Sequence, residues 1–321
     1  MKSLHKDFSE VTQFDQQVLP NLVDFFKLDF SSKNLGDYEL WFQNLSVLAQ
    51  QNLGLAHCVI HNQAAHNVAS IAVKHISDFK YLYPDRIGAY SFPRSHIDNL
   101  TLSGTRLSGK KFWASNLDVA DYIILRMLDS NKAEKWIYLD LQKINHRIIS
   151  NNFNPLGMKV AQAFDIEIDD GIPAEWILDN YIPKEELQAI VNFHKYGLIT
   201  NYWSASKSLL AHIEKIANER KYVLDYEIEK LRLQVNMLEI VWQKNMASLL
   251  AKRDKEFWHV RDTQHNFGKK TLIDIINLFM QLQNSRLCDQ NSFESQVFRD
   301  AVVFASHIEN LYTNVTAKWN N

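Results

Sequence analysis

SGKKFWASN, residues 108–116, is the segment on which the reading of the fold turns. Ser108 and Gly109 supply turn chemistry, and the aromatic pair Phe112–Trp113 then favours an extended strand. Side chains alternate along a strand, so Trp113 and Ser115 have the same parity. An aromatic plane and a hydroxyl on one side of a strand suit the inner face of a hairpin or one wall of a site for a planar ligand. Neighbouring segments have the same character. NLTLSG (99–104), DYIILRM (121–127), KWIYLDL (135–141), NHRIIS (145–150) and FDIEID (164–169) are rich in β-branched and aromatic residues and are separated by turn signals. Six such strands predict a small β-sandwich or barrel.

Outside this region the pattern changes. Five of the six prolines and five of the nine glycines lie between 84 and 183, and past Gly197 there is no proline and only Gly268. Turns therefore concentrate in the middle of the chain. In 226–252, Ile228, Leu231, Val235, Leu238 and Trp242 keep helical spacing, as do Val297, Ala301, Phe304, Ile308, Leu311 and Val315 in 293–315. TLIDIINLFMQL (271–282) is apolar nearly all round, as a helix inside a bundle is. With 204–220 these make a C-terminal four-helix bundle. The first 84 residues predict three shorter helices, including 37–52 and 55–77. The expected fold is mainly α with a central β domain: an N-terminal helical domain (1–84), the β domain (85–183) and the bundle (184–321).

Composition narrows the function. The chain has 321 residues, 46% hydrophobic and 22% charged, enough for a sizeable core. A net charge of −2 gives no basic excess for phosphates, so no nucleic-acid partner is expected. No apolar run reaches the ~18 residues of a membrane span, and the start lacks a signal-peptide pattern, so the expected location is the cytoplasm. Two distant cysteines, Cys58 and Cys288, make neither a disulfide framework nor a zinc set. Gly-rich phosphate loops and the GxSxG, HExxH and CxxC motifs are absent. His57, His61 and His66 fall on one expected helix, but no carboxylate accompanies them in 54–72, which favours packing over metal binding.

The order helices, β domain, bundle, together with GKKFWASN, resembles the acyl-CoA dehydrogenase superfamily. There a Gly-x-Lys-x-Trp-Ile-Thr-Asn strand places its Trp and Thr beside the flavin. Gly109, Lys111, Trp113 and Asn116 match, and Ser115 stands for Thr. GMKVAQAFDIEIDDGIPAEWIL (157–178) is similar to the family's closing strand, and Gln281 with Arg299-Asp300 resembles its Gln-x-x-Gly-Gly…Arg-Asp pattern. AYSFP (89–93) takes the place of Leu-Thr-Glu-Pro, with Ser91 for Thr. Asn284-Ser285 replaces Gly-Gly, and Arg220-Lys221-Tyr222 replaces Arg-x-x-Phe-Gly.

This resemblance implies FAD as cofactor, with FMN or no flavin as alternatives, and Ser91, Trp113, Ser115, Arg220 and Gln281 as its binding residues. It implies an acyl-CoA or other small-molecule substrate, a homodimer or homotetramer, and an electron-transfer or reductase partner. The implied activity is α,β-dehydrogenation of an acyl thioester, in which a carboxylate takes the α-proton. The family's glutamate position is Ile308 here, and Glu309 lies one residue on. A hydroxylase branch of the superfamily instead carries a histidine eight residues after the Arg, and His307 stands there, at a pKa suited to proton transfer near neutral pH. The resemblance thus leaves three activities: a dehydrogenase using Glu309, a monooxygenase using His307, and a non-catalytic binding or assembly protein.

Overall fold

A computed structural model describes residues 4, 8–9, 18–28, 35–77, 79, 86–92, 98–149, 158, 161, 163–221, 224–251, 255–283 and 293–307. The chain begins with α1 (Val18–Phe25), α2 (Leu35–Gln51) and α3 (Leu53–His75). Asn52 separates the last two, and its side chain caps α3 by accepting from the Leu55 N–H at 3.0 Å. α3 is buried over most of its surface, so its polar side chains must find partners inside the protein. Gln63 bonds both backbone groups of Leu28, and Asn62 accepts from the Gly88 N–H at 2.8 Å.

The β region contains β1 (Gly88–Ser91), β2 (Thr101–Ser103), β3 (Arg106–Ser115), β4 (Tyr122–Leu128), β5 (Glu134–Asp140), β6 (His146–Ile149) and β7 (Ala163–Gly171). All six strands expected from the sequence are present. They form one hydrogen-bonded sheet in the order β5-β4-β1-β3-β7-β6, with β2 paired to β3. β1 is the addition. It is only four residues long, buried throughout, and lacks alternation. It pairs in parallel with β4 and antiparallel with β3, so no local hairpin signal betrays it.

Four helices follow: α4 (Lys184–Arg220), α5 (Asp225–Ala251), α6 (Lys255–Gln283) and α7 (Phe293–His307). α4 starts twenty residues before the expected 204–220. Pro183 precedes it, Glu185 and Glu186 in its first turn complement the helix dipole, and Lys221 in the left-handed region ends it. Gly197 does not break it, because Ile60 of α3 packs there: a Cβ would lie 2.9 Å from Ile60 Cγ1.

A similar close approach seats the sheet on α3. A Cβ on Gly88 would lie 2.6 Å from both Ala65 Cβ and the Tyr122 hydroxyl. Gly88→Ala should therefore cost about 1–3 kcal/mol by overpacking. Gly171→Ala, with open space at its Cβ, should change stability by less than ~0.5 kcal/mol. Urea unfolding of the two variants checks the contrast.

Candidate functional site

The sequence KKFW of β3 builds an irregularity into the middle of the sheet. β3 and β7 pair in register from Arg106↔Gly171 to Lys111↔Ile166, and resume at Ala114↔Phe164 and Ser115↔Ala163. In between, Phe112 and Trp113 oppose the single residue Asp165, which makes a β-bulge. Trp113 takes φ +56°, an unusual conformation for a bulky residue.

The bulge frees two N–H groups from the ladder, and two carboxylates collect them. Asp98 accepts from the Phe112 N–H at 3.1 Å, and Asp165 accepts from the Trp113 N–H at 3.1 Å. Buried carboxylates need cations nearby. Lys111, fully buried, reaches Asp98 at 2.5 Å, and Lys110 reaches Asp165 at 2.8 Å. Consecutive lysines project to opposite sides of a strand, so each side of β3 receives one ion pair. Lys111 also donates to the Phe92 carbonyl at 2.5 Å, tying the end of β1 to β3. The result holds the Trp113 side chain 40% exposed on a rigid strand.

Ser115 is buried two residues on, and Asn116 (φ +65°) donates to the Cys58 carbonyl of α3 at 2.9 Å. Tyr90 pairs with Ser115, so the pleat gives these two side chains one face of the sheet and Ser91 the other. Ser91 is buried, and its Oγ has no hydrogen-bond partner among the described residues. The structure therefore brings Ser91, Trp113 and Ser115 to adjacent positions on β1 and β3. The bulge makes the equal parity of Trp113 and Ser115 a poor guide to their surroundings, one exposed and the other buried.

Arg220 and Gln281 lie elsewhere. Arg220 ends α4 and donates to the Leu282 carbonyl of α6 at 2.8 Å, and Gln281 is exposed beside that point. His194 of α4 touches Phe92, with ring centroids 4.6 Å apart. From His194 to Arg220 is 26 residues of helix, roughly 39 Å. His307 is the last residue of α7, and its side chain is outside the description; Glu309 lies outside the described residues.

The sequence reading missed a second cluster, against the helix side of β1. His61 sits between Tyr90 and His194. Its Nδ1 donates to the Tyr90 carbonyl at 3.3 Å, which leaves its Nε2 as acceptor for His194 Nε2 at 3.4 Å. His61 must be neutral in this arrangement, since its Nε2 accepts. His57 packs on His61 at 4.3 Å, and Arg126 lies over Phe92 and Trp136 while bonding Glu134 and the Tyr90 hydroxyl. Burial pushes the His61 imidazole down to about 4. Burial, with repulsion from His61, His57, Arg126 and Lys195, holds His194 well below its ordinary range. His194 belongs to no motif, so only the fold could reveal it. Among the described residues, no three metal-ligating side chains are placed to hold an ion. On α7, Asp300 accepts from the Met158 N–H at 2.5 Å, and burial raises its carboxyl to about 6.

Two predictions follow from these geometries. Lys111→Met leaves Asp98 buried without its cation and should cost about 3–5 kcal/mol in urea unfolding. Arg106→Ala, in the exposed Arg106–Asp169 pair, should cost less than ~1 kcal/mol. Below about pH 6.5 an unfolded chain protonates its histidines, whereas folded His61 and His194 stay neutral, so their contribution to stability falls as pH falls. Asp300 acts in the opposite sense, because its raised pKa favours the folded state at low pH. His194→Phe should therefore flatten the acid-side loss of stability by up to ~1.4 kcal/mol per pH unit relative to wild type, measured from unfolding midpoints between pH 7 and pH 5.

No protein-family model matches the sequence. No curated protein matches it either. Solved structures do. Butyryl-CoA dehydrogenase from Megasphaera elsdenii superposes with a TM-score of 0.75 at 13% identity, over 95% of this chain and 88% of that one. A glutaryl-CoA dehydrogenase from Mycobacterium smegmatis in complex with FADH2 gives a TM-score of 0.71 at 11% identity, over 93% and 84%. FkbI, for biosynthesis of the methoxymalonyl extender unit of the Fk520 polyketide immunosuppressant, gives 0.66 at 12% identity, over 91% and 88%. Helical start, central sheet and long helical end follow one another as in these enzymes, and the chain has the acyl-CoA dehydrogenase fold.

Proposed function

We propose that the chain is a flavin-binding oxidoreductase acting on an acyl thioester, with the flavin ring against the bulge of β3. The observation that carries this reading is Trp113, an aromatic side chain held partly exposed in a strained backbone conformation by two ion-paired carboxylates. Strain of this kind costs about 1–3 kcal/mol and persists where a site needs it. Trp113 would stack on the ring, and one serine hydroxyl beside it, either that of Ser115 on β3 or that of Ser91 on the other face of β1 with its unused Oγ, would bond its polar edge. Bound there, FAD supplies the hydride acceptor. Glu309 would take the substrate's α-proton. Arg220 and Gln281 are too distant to reach the same flavin from one chain, so they would enter the site from a second copy.

A non-catalytic binding role is the second reading. It is favoured by Arg220, whose guanidinium already caps α6 at Leu282. The two separate on the purified protein titrated with FAD. The flavin reading expects stoichiometric binding with a shifted visible band, and an affinity about tenfold lower in Trp113→Ala, equivalent to ~1.4 kcal/mol. It further expects bleaching by an acyl-CoA from a chain-length panel, lost in Glu309→Gln. Bleaching that survives in Glu309→Gln but not in His307→Gln would move the chemistry to His307. A protein that binds no FAD overturns the proposal.

A further inference from the structure

α4, α5 and α6 meet at Gly268. A Cβ there would lie 3.2 Å from Tyr202 Cβ on α4 and 3.6 Å from Leu238 Cδ2 on α5. α4 and α6 run in the same direction, with Tyr202 level with Gly268 and Arg220 level with Leu282. Residues three or four apart share one face of a helix. At that spacing Gln264 and Thr271 flank Gly268, Ser206 follows Tyr202, and Gln234 precedes Leu238. Positions around such a crossing normally carry aliphatic side chains. Here all four are polar. Trp203 adds a fifth group. Its ring stacks on Trp242, with centroids 5.2 Å apart, which leaves the N–H on its edge to be satisfied.

Trp203, Ser206, Gln264 and Thr271 are buried, and half-buried Gln234 has a buried Oε1. The Ser206 Oγ, the Thr271 Oγ1, both amide atoms of Gln264, the Trp203 Nε1 and the Gln234 Oε1 have no hydrogen-bond partner among the described residues. Buried polar groups are as a rule paired, with protein or with water. Six unpaired atoms around one crossing therefore mark a place whose partner is a separate molecule. Its chemistry follows from the donors and acceptors. None of the five side chains ionises, so a charged ligand would enter without a counter-charge. The Trp203 N–H only donates, the Gln234 Oε1 only accepts, and the two hydroxyls and the Gln264 amide do both. A hydroxyl group matches every one of them. Gln264 and Thr271 are seven residues apart, roughly 10 Å along α6, a span that needs several hydroxyls in a row. We propose that this waist of the bundle is a binding site for a row of uncharged hydroxyl groups, supplied by a polyol or by a file of water molecules. No residue of the β region takes part, so the inference is independent of flavin binding.

The test uses the full chain. Thr271→Val keeps the shape of the side chain and removes its hydroxyl. In an empty, dry site it would relieve an unpaired group and raise the urea midpoint. In an occupied site it should lower the midpoint with an unchanged slope, because a bond to the occupant is lost. The second readout is made on the wild-type protein labelled with 15N. The Trp203 indole N–H signal, assigned by its loss in Trp203→Phe, should show an NOE to bound hydroxyl protons. Erythritol, added as a probe, separates the two sources. A saturable shift of that signal, with affinity at least ~10-fold lower in Thr271→Val, identifies a polyol as the occupant. An unmoved signal that keeps its NOE to water identifies the file of water. An indole proton with an NOE to neither overturns the proposal, as does a midpoint raised by Thr271→Val.

Discussion

The mismatch of two residues against one, between Phe112–Trp113 and Asp165, is the constraint on which the central region depends. A bulge inside a sheet leaves N–H groups outside the ladder, and each costs free energy if it finds no partner. This chain answers with Asp98 on one side of β3 and Asp165 on the other, each beside a lysine from β3 itself. Neither ion pair would be placed there for stability alone, since well-packed apolar groups often serve as well. Their effect is geometric. They fix Trp113 in a conformation that an unassisted strand would not adopt, and through Lys111 they bind the chain after β1 to the same point.

α3 carries this geometry into the helical part. Asn62 holds the start of β1, His61 the carbonyl of Tyr90, and the Cys58 carbonyl the amide of Asn116. These bonds recur along one face of α3, so sheet and helix meet in a single register. α4 closes the other side through Gly197 and His194. Because His61 donates to a backbone carbonyl and accepts from His194, one extra proton would set a charged ring against Arg126 and Lys195 in a dry interior. The seam is therefore built for the neutral state of both rings.

The sequence disclosed those parts of the fold whose signals are local. Six strands announced themselves by β-branched and aromatic runs between turns, and α5 and α6 by their spacing. β1 did not, because GAYS is short and its partners are remote. The first half of α4 did not, because Gly197 reads as a breaker until Ile60 is known to fill the space beside it. At the candidate site, the place of Trp113 and Ser115 on one strand was legible from the sequence. The bulge between them, which decides what each side chain meets, depends on pairing with residues about fifty positions away. Asp98 and Asp165 were legible as acidic residues but not as caps, for the same reason.

Distance along α4 imposes a last constraint. A helix of 37 residues is a rigid spacer, and it keeps Arg220 and the end of α6 roughly 39 Å from the Tyr90–Phe92 corner. Residues that a reading by motif assigns to one cofactor thus belong to two ends of one rod. No side-chain rearrangement spans that gap, and bending a helix packed on α2, α3, α5 and α6 would break its core. If both ends serve one ligand, the rods of two chains must lie side by side in opposite directions, so that the far end of one meets the sheet of the other. On that condition alone, the length of α4 would tie the candidate site to a second chain.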